Sequence, residues 1–288
     1  MTDAERQAAL EAIGAEIRTC TRCRLHQGRT RAVPGEGHPG TEVVFVGEGP
    51  GYNEDQQGRP FVGRAGELLE KLLASINWKR DEVFIANVVK CRPPDNRDPE
   101  PDEIAACAPY LTRQLAVLDP ALVVTLGRFS MARFNPGAKI SQVHGTYKPA
   151  HPDSGAANAL ALFMYHPAAA LRTPALETQS HLDIAGVPKA LQEARSRRAA
   201  MAAKRSGSAA APSSAAASGA AGEAISSGQA PAAETGLSPE DTRTPELIDA
   251  ETPAPKPAQP AEKGSAVAAA EAPEATAQSG QTGQLGLF

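Results

Sequence analysis

The sequence predicts an α/β fold built on a mostly parallel central sheet. Three observations carry this reading. Four short, almost wholly apolar runs recur along the chain, at 43–46, 83–89, 121–126 and 160–165. Segments with the apolar spacing of amphipathic helices lie between them. Both patterns stop near residue 202, after which the chain is mostly Ala, Ser, Gly, Pro and Glu. Parallel strands covered on both faces read as continuous apolar runs, because neither face meets water.

Residues 4–18 carry Leu10, Ile13 and Ile17 on one stripe and predict a first helix, with Cys20 and Cys23 just past its end. The run 43–46 is a buried strand that stops at Gly47. A Gly/Pro-rich loop follows to about Arg64. Leu68, Leu69, Leu72, Leu73 and Ile76 then predict a helix over 65–76. The run 83–89 is a second strand. Pro101 opens a helix over 101–118, with Asp102 and Glu103 in its first turn, where acidic side chains meet the positive end of the helix dipole. Strands at 121–126 and 160–165 and a last helix at roughly 180–198 complete the folded part.

Residues 203–288 have a different character. Their one aromatic is the final Phe288. Of the 29 Lys+Arg and 33 Asp+Glu in the chain, they hold 5 and 10, a net of −5; residues 1–202 keep 24 and 23, a net of +1. So little apolar surface cannot offset chain entropy, and Pro212, Pro231, Pro239, Pro253, Pro255, Pro257 and Pro260 interrupt any long helix. The expected organisation is a folded domain over 1–202 and a disordered tail over 203–288.

No run approaches the ~18 apolar residues of a membrane span, and the polar start MTDAERQAAL has no signal-peptide core. A monomeric cytoplasmic protein without membrane contact is expected. In that setting four cysteines point to metal or redox chemistry rather than disulfides.

Parallel sheets bind ligands at the carboxyl ends of their strands, so the residues there are the site candidates. Gly47-Glu48-Gly49-Pro50-Gly51 ends the first strand and leaves backbone N–H groups free for oxygen ligands. It matches neither the dinucleotide fingerprint nor the phosphate P-loop, and a plain tight turn is the competing reading. Phe61, between Gly58 and Gly63, suits a stacking surface for a flat ligand, or a core plug under the loop. Asn87 sits in an apolar strand; its paired donor and acceptor match the imide edge of a base, or else hold a backbone bend. His166 ends the fourth strand, placed either to face a developing anion or to serve structure. Cys20, Cys23, Cys91 and Cys107 use every cysteine of the chain. Four thiolates suit a structural zinc or a [4Fe–4S] cluster.

In combination these motifs resemble the iron–sulfur, type-4 uracil-DNA glycosylases of bacteria and archaea. The matching segments are CTRC (20–23), GEGPGYNEDQQGRPFVGRAGELL (47–69), NVVKCRPPDNRDPEPDEIAAC (87–107) and YHPAAALR (165–172). The resemblance covers about residues 5–195. It implies a three-layer α/β/α sandwich with a short, mostly parallel sheet. The implied activity is flipping of uracil out of DNA and hydrolysis of its N-glycosidic bond, the first step of base excision repair. Gly47, Glu48 and Gly49 would line the uracil pocket, Phe61 would stack on the base, and Asn87 would read its imide edge. His166 would stabilise the departing anion at O2. Glu48 or Glu54 would position the water. The four cysteines would hold a [4Fe–4S] cluster, with structural zinc the alternative. Leu171 is the candidate wedge into the DNA stack, and Arg172 a DNA contact alongside Arg59, Arg64, Arg92 and Arg97. The competing functional readings are a non-catalytic nucleic-acid-binding protein with a structural four-cysteine metal site, and a redox protein. The end of the chain, with Gln284, Leu285, Leu287 and Phe288, resembles the peptide by which bacterial repair proteins dock on the DNA sliding clamp.

Overall fold

The computed structural model describes residues 1–208 of the chain. Among them, six strands form one sheet: β1 (Glu36–Gly37), β2 (Val43–Gly47), β3 (Phe84–Asn87), β4 (Leu122–Leu126), β5 (Tyr147–Pro149) and β6 (Leu160–Met164), in the order β1-β3-β2-β4-β6-β5. The four central strands are parallel; β1 and β5 add to the two edges antiparallel. The helices are α1 (Asp3–Thr19), α2 (Tyr52–Gln57), α3 (Arg64–Ser75), α4 (Pro101–Leu118), α5 (Arg128–Phe134), α6 (Ile140–Val143), α7 (Pro167–Ala170), α8 (Pro174–Ile184) and α9 (Val187–Ser208).

Alternate residues of each central strand feed two separate cores. Val44, Val46, Ala86, Val123 and Phe163 pack with Ile13 and Ile17 of α1 and Leu111 and Leu115 of α4. Val43, Phe45, Ile85, Val124 and Leu162 face Leu69 and Leu72 of α3 and Val187 and Leu191 of α9. This is the expected three-layer sandwich. Every residue of the four central strands is buried, which is why they read as unbroken apolar runs. Each Val, Leu, Ile, Phe or Met side chain among them contributes about 1.5–3 kcal/mol by leaving water.

Four expectations are corrected. The loop after Gly47 contains α2, a six-residue helix closed by Gly58 in the left-handed region at φ 71°. The last helix is two helices, α8 and α9, parted at Ala185 and Gly186. The ladder of the second strand stops at Asn87, although Val88 and Val89 go on bonding to the carbonyls of Gly47 and Glu48 at 3.0 Å. The helix expected to end near 198 continues to Ser208. The rest of the expected tail, with its terminal peptide, lies outside the described residues. No helix among the described residues is long and apolar enough to cross a membrane.

Register places the site. Gly47 pairs with Asn87 and Leu126 with Met164, so four neighbouring strands end on one line. Gly47, Asn87, Gly127 and His166 stand at or just beyond those ends.

Candidate active site

At the carboxyl ends of the strands lies a cleft of about 520 Å³, lined among others by Glu48, Phe61, Asn87, Arg128, His166 and Arg172. The walls come from the loops after β2, β3, β4 and β6, so segments far apart in sequence converge on it.

Asn87 is 2% exposed, and its Oδ1 is buried with no hydrogen-bond partner. Leaving a buried acceptor unpaired costs about 1–3 kcal/mol, so this atom is poised for a donor brought by a ligand. Its neighbour Gly47 is there for close approach. A Cβ on Gly47 would lie 2.4 Å from Asn87 Oδ1 and 2.6 Å from Phe61 Cζ. The glycine therefore lets the amide and the ring come together. Phe61 is 5% exposed and held at φ 50°, an uncommon conformation for a bulky residue. Gly66 makes that possible, since a Cβ there would sit 1.9 Å from the Phe61 carbonyl oxygen. The same carbonyl accepts from Arg80 Nη1 at 3.0 Å.

His166 stacks against Phe61, ring centroids 5.7 Å apart and planes 27° from parallel. It caps α7, its Nδ1 accepting the Ala168 N–H at 3.1 Å. With Nδ1 occupied as an acceptor, the proton of the neutral ring sits on Nε2. Burial, with the charge of Arg172 adding to it and Glu54 opposing, pushes the imidazole pKa down to about 4. The ring is thus neutral near pH 7 and still a donor.

The two candidate carboxylates differ in surroundings. Glu54 Oε1 accepts the N–H groups of Val62 and Gly63 at 2.9 Å each, and Oε2 accepts that of Gly51 at 3.1 Å. Its carboxylate ties α2 to the loop carrying Phe61. Glu48 is raised to about 7, chiefly by burial and then by Asp98, with Arg128 opposing. It therefore exchanges a proton in the physiological range.

All four cysteines line a second pocket, with Ile17, Ala106 and Tyr110 among its apolar walls. Cys20 and Cys23 are partly exposed, Cys91 and Cys107 buried. Backbone and side-chain donors aim at the sulfurs: Arg29 Nη1 to Cys91 at 3.1 Å, Lys90 N–H to Cys107 at 3.2 Å and Arg22 N–H to Cys20 at 3.5 Å. Burial pushes the Cys107 thiol up to about 11 and raises Cys91 and Cys23 as well. Bare thiolates are disfavoured here, and a cationic metal centre would compensate them. Among the described residues, no three Cys, His, Asp or Glu side chains are gathered for a single ion. Zinc requires its four sulfurs at about 2.3 Å from one point. A four-iron cluster takes its thiolates at separate corners, and four cysteines around one pocket are the donor set it uses.

The structure thus brings Gly47, Glu48, Gly49, Glu54, Phe61, Asn87 and His166 to one place, and the cysteines to another. The DNA-contact candidates divide. Arg172 lines the cleft and is exposed, whereas Leu171 is half-buried against the core beside α3. Arg97 lines the cleft but is held by the fully buried Glu103, with contacts of 2.9 and 2.6 Å. Arg59 is paired with Glu36 at 2.8 Å. Sequence reasoning missed Arg128 and Asp98, which pair across the cleft lining. The available signal was Arg128's place immediately after Gly127, at the end of the third strand run.

Residues 34–185 match the model of the uracil DNA glycosylase superfamily. The chain is 49% identical over 172 residues to the type-4 uracil-DNA glycosylase of Sulfurisphaera tokodaii, covering 58% of this chain and 78% of that protein. It is 48% identical over 136 residues to the type-4 enzyme of Thermotoga maritima, 47% of this chain and 71% of that one. A type-5 uracil-DNA glycosylase of Thermus thermophilus is more distant, 33% identical over 137 residues, 42% of this chain and 59% of that one. With more than half of its length matched by the superfamily model and nearly half of its aligned residues identical to enzymes of one branch, the chain belongs to the type-4, iron–sulfur branch of the uracil DNA glycosylase superfamily.

Proposed function

We infer that the protein removes uracil from DNA by hydrolysing its N-glycosidic bond, with the cleft residues in defined roles. The observation that carries this assignment is the buried, unpartnered Asn87 Oδ1. Uracil carries its donor at N3, beside the O4 carbonyl, and satisfies that acceptor; cytosine has an acceptor at N3 and its donor at N4, where uracil has O4, so the same amide orientation does not pair with it. Phe61 packs against the flipped ring. The N1–C1′ bond breaks with its electron pair moving into the base, and His166 Nε2–H donates to O2 as negative charge develops. A neutral donor already in place in a water-poor site costs no reorganisation at that moment. Water attacks C1′ and passes its proton to Glu48; Glu48 gives that proton up and the uracil anion takes one from solvent, leaving neutral uracil, an abasic sugar and an ionised Glu48. Glu48 is preferred to Glu54 because Glu54's oxygens are engaged by three backbone N–H groups. Flipping costs a few kcal/mol, least in mispaired or single-stranded DNA. Leu171 would fill the vacated space after leaving its half-buried position, and Arg172 would meet a phosphate.

Cys20, Cys23, Cys91 and Cys107 would hold a [4Fe–4S] cluster, which supplies structural cross-linking of α1, α4 and the loop after β3. Such a centre belongs in a reducing cytoplasm, and a monomer suffices, since the cleft is built from one chain. The terminal peptide with Gln284, Leu285, Leu287 and Phe288 is read as a sliding-clamp ligand on its sequence alone; such a link would raise the local concentration of the enzyme on DNA. Loss of clamp binding on Leu287→Ala with Phe288→Ala, measured by polarisation, is the expected result.

Release of labelled uracil from an oligonucleotide tests the main assignment. Asn87→Asp should lose uracil rate and selectivity against cytosine. Full activity and selectivity in that variant would return Asn87 to a structural role, and no release by the wild type would leave a nucleic-acid-binding protein.

A further inference from the structure

Tyr52, the first residue of α2, is 59% exposed, and is the one aromatic side chain among the described residues that lies mostly in water. It is not loose. The guanidinium of Arg92 lies over the ring, its Cζ 5.3 Å from the centroid, and Arg92 Nε donates to Asn96 Oδ1 at 2.7 Å. Gly51, just before Tyr52, and Asn96 both line the cleft. The ring and its guanidinium are therefore anchored at the cleft rim, with much of the ring surface uncovered. The hydrolytic roles described above use neither side chain.

We propose that Tyr52 and Arg92 form a stacking subsite for the nucleobase adjacent to the flipped uracil. This rests on the reading that the cleft draws uracil out of DNA. Extrusion of one nucleotide breaks its stacking and leaves the neighbouring base with an open face. In single-stranded DNA no complementary strand keeps that neighbour in a helix. An exposed aromatic face accepts any base, because every base offers a π-surface, and a guanidinium beside it adds attraction for the intervening phosphate. The pairing to Asn96 holds Arg92 in place before DNA arrives, which reduces the ordering cost of binding. The ligand class is thus a nucleobase with its phosphate in single-stranded or locally opened DNA, recognised without regard to sequence.

The test compares two single-stranded oligonucleotides in single-turnover uracil release by the full-length protein. In one, uracil has ordinary neighbours; in the other, tetrahydrofuran abasic analogues flank it on both sides. Tyr52→Ala should lower kcat/KM on the first by roughly 5- to 150-fold, the range that loss of one base–aromatic stack allows. The penalty on the second should shrink to about twofold or less, since the stacking partner is gone. Tyr52→Trp should retain the wild-type ratio between the two substrates. Equal penalties on both, or none on either, would overturn the subsite. If the wild type released uracil from neither, the activity assignment would fall by itself. Anisotropy titration of the same two oligonucleotides would still decide the subsite, expected as a Tyr52-dependent preference for the base-flanked strand and overturned by its absence.

Discussion

Gly47→Ala gives the sharpest test of the cleft. The added Cβ would meet Asn87 Oδ1 at 2.4 Å and the Phe61 ring at 2.6 and 2.7 Å, and real Cβ contacts essentially never fall under 3.0 Å. The amide oxygen or the ring must therefore retreat by about half an ångström or more. The ring has little freedom, because Phe61 is buried at φ 50° and its backbone abuts Gly66. The movement falls on the two groups assigned to hold the base. Misplacement approaching 1 Å costs on the order of 100-fold in rate, and overpacking costs about 1–3 kcal/mol of stability. Single-turnover uracil release should fall by about 100-fold, with a cooperative thermal transition retained at a lower temperature. Wild-type release by a folded Gly47→Ala protein would refute the argument, because it would mean that the positions of Asn87 and Phe61 do not govern the reaction.

His166→Ala should lower kcat by about 100-fold or more while changing DNA affinity little, since the donor acts on charge present only in the transition state; equal loss in binding, read by anisotropy, would contradict this. Glu48, raised to about 7, accepts a proton only when ionised, so kcat/KM should be level above that pH and fall about tenfold per unit below it. His166, at about 4, adds no limb until far more acid pH, and Glu48→Gln should be slow and flat across the same range. Stability responds in opposite senses. The folded state binds the Glu48 proton more readily than the unfolded chain, so that contribution grows as pH falls through 7 toward 4.5. His166 resists protonation when folded, so its contribution is lost as pH falls through 6.5 toward 4. Chemical melts of Glu48→Gln should isolate the second slope. Cys91→Ser should lose the broad visible absorption expected of the iron–sulfur centre and lower the melting temperature; a cluster-free variant as stable and active as wild type would contradict a structural role.

Much of the scaffold was legible because burial on both sheet faces leaves a compositional mark. The runs 43–46, 83–89, 121–126 and 160–165 became β2, β3, β4 and β6 with shifts of a residue or two at the ends. The edge strands β1 and β5, of two and three residues, are too short to carry a periodicity. Helix α2 was missed among glycines and prolines because its stability is not local: Glu54 ties it to Val62 and Gly63, and a left-handed Gly58 ends it.

The site divides along the same line. Residue type and position alone singled out Asn87 in an apolar strand, His166 before a proline, Phe61 among glycines and the four cysteines, because each is chemically out of place where it stands. Sequence could not separate Glu48 from Glu54, which are the same side chain six positions apart. The tertiary structure separates them through three backbone N–H groups around one and a half-buried cleft position near Asp98 and Arg128 around the other. Nor could sequence reveal that Asn87 Oδ1 goes unpaired, that Ala168 sets the His166 tautomer, or that Tyr52 stands anchored at the rim. Composition and apolar spacing determine which segments must leave water. Hydrogen-bond satisfaction and proton affinity depend on the few ångströms around an atom, and only the folded chain brings those neighbours together.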